Sequence, residues 1–146
     1  MSSAETRYLK INFDEVLSKL RKYASSKART QSIKTIVLTG SLAKGNYTGT
    51  SDADVLVIAE GLPADFLERY KLFADPTLGF DLEPRAYTLE EFVNMIHKDD
   101  LFALEALQIG MPLHGEQFFQ DLRDHLTKQR SQALPRQDAR AGARNP

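Results

Sequence analysis

Asp52-Ala53-Asp54 runs without a break into Val55-Leu56-Val57-Ile58, and this junction limits the fold more than any other stretch of the chain. A short apolar run rich in β-branched residues reads as a buried strand. In a strand, residues two apart point to one face and lie about 6.6 Å apart at a rise of about 3.3 Å per residue. Asp52 and Asp54 can therefore converge on the same divalent ions, whereas on a helix they would diverge. Two acids placed together away from water are costly unless a cation neutralises them, and an oxygen-only donor set suits Mg²⁺, which favours carboxylates plus substrate phosphates. Parity puts Asp52 and Asp54 on the face of Leu56 and Ile58, with Ala53, Val55, Val57 and Ala59 on the other.

Upstream, Ile33-Lys34-Thr35-Ile36-Val37-Leu38-Thr39 reads as a strand that halts at Gly40-Ser41. A glycine in that position lets the backbone approach an anion closely. A following helical turn through Leu42, Ala43 and Lys44 aims free N–H groups at phosphate, and the Ser41 hydroxyl and Lys44 ammonium can join them. Gly40 and Gly45 have the spacing of a Walker A loop, but Asn46-Tyr47 stands where Lys and Ser or Thr are required, which excludes a P-loop NTPase.

Around these segments the spacing predicts an amphipathic helix over 12–28, an exposed turn-rich loop over 46–51 and a strand over 52–59. Pro63 is expected to open a helix through Phe66, Leu67, Tyr70 and Phe73, which Asp75-Pro76 and Gly79 close. A third strand over 80–87 puts Asp81, Glu83, Arg85 and Tyr87 on one polar face, and Pro84 marks an edge or irregular position there. Thr88 and Glu91 form a capping box for the next helix. Asp99 or Asp100 starts another helix, running to Gly110, and Phe118, Phe119, Leu122 and Leu126 mark the last one. The apolar pattern stops near Ser131. The expectation is one domain over 1–130, with a core over 33–115, and a disordered basic tail over 131–146 carrying Arg136, Arg140 and Arg144. The class is α/β or α+β: a short mixed sheet with helices packed on one face.

Composition narrows the partners. The 146 residues hold 19 Lys and Arg against 20 Asp and Glu, a formal charge of -1, so the overall basicity of a strong nucleic-acid binder is absent. Without cysteine there are no disulfides, thiolate nucleophiles or Cys-based zinc sites. No apolar run approaches the roughly 20 residues of a membrane span, and no secretion signal is evident, so a cytoplasmic location is expected. His97, His114 and His125 lack ligand spacing and receive no role.

Gly40-Ser41, a gap of ten residues and Asp52-Ala53-Asp54 together resemble the signature of the DNA polymerase beta nucleotidyltransferase superfamily, in its minimal nucleotidyltransferase branch. Leu38 to Gly45 and Ser51 to Val57 carry the match best, and Tyr87-Thr88-Leu89-Glu90-Glu91-Phe92 resembles the segment after the third acidic strand. The resemblance implies the nucleotidyltransferase fold and transfer of a nucleoside monophosphate, AMP above all, from a triphosphate to a hydroxyl, with pyrophosphate leaving. It implies that Asp52 and Asp54 hold Mg²⁺, two ions in all, and that Gly40 and Ser41 hold the triphosphate. It also implies a third carboxylate that binds metal, for which Glu83 is the first choice and Asp81 the alternative. A separate HEPN-domain toxin is the partner that the branch suggests, either modified on a tyrosine or neutralised by binding alone. The acceptor, the base and any oligomeric state are left open.

Overall fold

The computed structural model describes the backbone of residues 2–30, 32–45 and 52–144, with side chains from 13 to 132 within those ranges. The expected loop over 46–51 lies outside the described residues. The chain begins with helix α1 (Ser2–Thr30), strand β1 (Ile33–Thr39), the short helix α2 (Gly40–Lys44) and strand β2 (Ala53–Ala59). There follow α3 (Phe66–Phe73), a 3₁₀ turn (Pro76–Leu78), β3 (Leu82–Tyr87) and α4 (Leu89–His97). Then come α5 (Leu101–Ile109), β4 (Met111–His114) and α6 (Glu116–Arg144).

The four strands form one mixed sheet in the order β3-β2-β1-β4. β1 pairs antiparallel with β2 and with β4, and β2 pairs parallel with β3. The α+β class and the mixed sheet expected from sequence are both present, and Pro84 does lie on an edge strand. β4 is not expected from sequence. It is short, contains Pro112, and is a strand because Val37 and Leu38 of β1 offer it pairing partners.

Helices cover both faces of the sheet, which corrects the expectation of a single covered face. Ile36, Val55, Val57 and Ala59 pack against Tyr23 and Ala24 of α1 and Phe73 of α3. Val37, Leu56 and Ile58 pack on the opposite side against Phe92 and Ile96 of α4, Ala106 and Leu107 of α5, and Phe119 of α6. The physical reason lies in β2, which is apolar at both parities beyond Asp54, so each of its faces must be removed from water.

Local chemistry sets most helix ends. Thr88 and Glu91 close the expected capping box, with Glu91 N–H donating to Thr88 Oγ1 at 3.1 Å and Thr88 N–H to Glu91 Oε1 at 2.8 Å. Asp100 caps α5 by accepting from Ala103 N–H at 2.9 Å. α3 starts at Phe66 rather than at Pro63, because Asp65 accepts from Leu67 N–H at 2.8 Å and so fixes the start. Beyond Ser131 the backbone of α6 is helical to Arg144. Among the described residues no helix is long and apolar enough to cross a membrane.

Candidate functional site

The site forms where β1 ends and β2 begins. Antiparallel pairing sets Thr39 opposite Asp54, and parallel pairing sets Asp54 opposite Glu83. Asp54 is thus flanked by the Gly40-Ser41 turn on one side and by the third acidic strand on the other. The backbone bond from Ala53 N–H to Asp81 O, 2.9 Å long, ties the mouths of β2 and β3 together. Asp52, Asp81 and Glu83 line one cleft of about 660 Å³ with Tyr70, Asp75 and Phe80, whereas Gly40, Ser41, Lys44 and Asp54 do not line it.

The turn is built around a close approach. Gly40 has φ +73, and a Cβ placed on it would lie 2.3 Å from Asp54 Oδ2. Ser41, Leu42, Ala43 and Lys44 continue as α2, which Gly45 ends in the left-handed region with its N–H donating to Ser41 O at 3.0 Å. The first N–H groups of such a turn have no intrahelical partner.

Lys44, expected from sequence to reach phosphate, pairs with Glu105 of α5 at 3.1 Å. Glu105 is absent from the sequence-based set of site residues, although it is the one acid in the apolar helix Leu101–Ile109. Arg85, two residues beyond Glu83, stacks its guanidinium over the Phe102 ring, 4.5 Å from the centroid.

Electrostatics concentrate on Asp54. Burial pushes its carboxyl above the ordinary carboxylate range, Arg85 pulls it back, and Glu83, Asp52 and Glu105 push it up further. Beside it, the Thr39 hydroxyl is buried and has no hydrogen-bond partner among the described residues. Among those residues no three acids or histidines stand close enough together to hold a metal ion as they are. The donors nonetheless fit a hard divalent cation. They are carboxylate oxygens that repel one another around a half-buried acid, next to an orphaned hydroxyl and a glycine cradle that any side chain would fill.

A strand–glycine–helix turn set against a strand that opens on two aspartates defines the nucleotidyltransferase class of fold. The model of the nucleotidyltransferase domain matches residues 17–107, more than half of the chain, and the chain belongs to that family of transferases. Members of this fold generally use a nucleoside triphosphate and a divalent metal. Two solved structures are similar. One, a toxin-antitoxin crystal structure with AMP-PNP, is 17% identical with a TM-score of 0.56, over 87% of this chain and 96% of that one. The other, a mutant of the toxin-antitoxin MntA-HpeT, is 17% identical with a TM-score of 0.43, over 85% of this chain and 96% of that one. No curated protein matches significantly.

Proposed function

We propose that this chain is an Mg²⁺-dependent nucleotidyltransferase that moves AMP from ATP to a hydroxyl of a protein acceptor, a tyrosine of a helical HEPN toxin. The observation that carries this reading is the register across three strands, with Thr39 and Gly40 on one side of Asp54 and Glu83 on the other. Crystallisation of the similar toxin-antitoxin with AMP-PNP supports an adenine nucleotide and a toxin partner.

In this reading Gly40 and Ser41 hold the terminal phosphates through the first N–H groups of α2 and the Ser41 hydroxyl, and Lys44 exchanges Glu105 for phosphate oxygen. Asp52 and Asp54 bind the cation, which supplies neutralisation of phosphate charge. Glu83 completes the metal-binding set and takes the proton of the acceptor hydroxyl as its oxygen bonds to the α-phosphorus. The bond from that phosphorus to the bridging oxygen breaks in line, and pyrophosphate leaves with the electron pair.

A second reading, an antitoxin acting by contact alone, is favoured by the outer face of α3, where Phe66 is 58%, Leu67 60% and Tyr70 44% exposed. Labelled ATP, the protein and its partner separate the two. Label transfer to the partner that is lost in the Asp52→Asn, Asp54→Asn double variant supports the enzyme. Full neutralisation by that variant, with no label transferred by the wild type, supports contact.

A further inference from the structure

Phe102 and Glu105 stand about one turn apart on α5, and each holds a cation. Glu105 pairs with Lys44, the last residue of α2, and Phe102 carries the guanidinium of Arg85 on β3. Asp54 lies between these two flanks, since β2 separates β1 from β3 in the sheet. One helix therefore brackets the carboxylates with two cations.

The two cations differ in what they touch. Lys44 is paired with Glu105, whereas Arg85 makes no hydrogen bond or ion pair with any described residue. Two other arginines stack on rings, and both spend their donors on protein. Arg69, 4.4 Å from the Phe66 centroid, donates to Pro63 O, Ala86 O and the Glu91 carboxylate. Arg123, 4.8 Å from the Phe119 centroid, donates to Leu107 O and Gly110 O. Stacking restrains a guanidinium plane but leaves its in-plane N–H groups free, and a free fork of this kind matches two oxygens of one phosphate. A polyphosphate approaching Asp54 and Glu83, which strand pairing sets side by side, needs such a counter-charge.

We propose that Arg85 is a phosphate ligand of the nucleotide site, positioned by Phe102. This rests on the nucleotidyltransferase reading and adds a contact from the β3 side, opposite Gly40 and Ser41.

The test is titration calorimetry of ATP with Mg²⁺ into wild type, Arg85→Gln, Arg85→Lys, Phe102→Leu and the Asp52→Asn, Asp54→Asn double variant, with circular dichroism melts to confirm folding. Loss of a charged hydrogen-bonding partner predicts binding roughly 10- to 100-fold weaker in Arg85→Gln. Partial recovery is expected in Arg85→Lys, and a loss of about 2- to 5-fold in Phe102→Leu. If folded Arg85→Gln binds like wild type while the double aspartate variant does not, Arg85 is not a phosphate ligand and the nucleotidyltransferase reading stands. If wild type binds no ATP, or the double aspartate variant binds as well as wild type, both fail.

Discussion

Gly40 and Asp54 touch so closely that the turn leaves room for the carboxylate and for no side chain: a Cβ on Gly40 would lie 2.3 Å from Oδ2 and 3.0 Å from Cγ of Asp54. The end of β1 and the start of β2 are thereby locked to each other, and the acid cannot keep its place if the turn changes. Gly40→Ala adds a left-handed φ on a residue with a Cβ, a cost of about 1–2 kcal/mol. Urea denaturation is expected to show that loss, and ATP binding to weaken by about tenfold or more as Asp54 is displaced. Unchanged binding would mean that the position of Asp54 does not matter.

Asp54 also weakens the fold it serves. A carboxyl whose folded-state pKa is raised binds its proton more tightly in the folded protein, so its contribution to stability is complete below the unfolded value and lost as pH rises through the raised value. At neutral pH Asp54→Asn is therefore expected to raise Tm while nucleotide binding disappears. A lower Tm would show that the carboxylate is compensated in the folded protein.

Glu91 runs the other way. The Arg69 side chain, only 6% exposed, meets the Glu91 carboxylate at 2.7 Å and 3.1 Å and, with the Thr88 hydrogen bonds, holds the Glu91 pKa below its ordinary value. Its stabilisation is present above the usual carboxylate range and fades as pH falls through the lowered folded value. Glu91→Ala leaves Arg69 buried without its counter-charge and also opens the capping box. A loss of about 1–2 kcal/mol at pH 7 is expected in chemical denaturation, with a flatter acid limb. An unchanged acid limb would show that other groups set it.

Thr39 gives a test with opposite signs for stability and function. Its buried hydroxyl has no partner among the described residues, so the near-isosteric Thr39→Val is expected to stabilise the nucleotide-free protein by about 1 kcal/mol. The same change is expected to weaken Mg²⁺-dependent ATP binding, because the hydroxyl stands in register with Asp54. Tighter binding together with higher stability would remove Thr39 from the site.

What was legible in the sequence was local. β1 and β2 announce themselves as β-branched runs bounded by Gly40 and by Asp52 to Asp54, and the Thr88 capping box is written in four residues. Met111 to His114 become a strand only because β1 lies beside them, so nothing local marks β4. The apolar run Val55 to Ile58 carries the information that both sheet faces are covered, but the parity of the two aspartates draws attention to one face alone. The pairing of Lys44 with Glu105 and the seat of Arg85 on Phe102 join residues far apart in the chain, and no spacing rule brings them together.

On the proposed function, Asp52 and Asp54 hold a metal-bound nucleotide. Its most direct test is titration calorimetry of ATP, GTP, CTP and UTP with Mg²⁺ into the wild type and the Asp52→Asn, Asp54→Asn double variant. Wild type is expected to bind ATP in an Mg²⁺-dependent manner, and a double variant that remains folded is expected not to bind it. Equal binding by the two proteins, or binding unaffected by chelation of the metal, would contradict it.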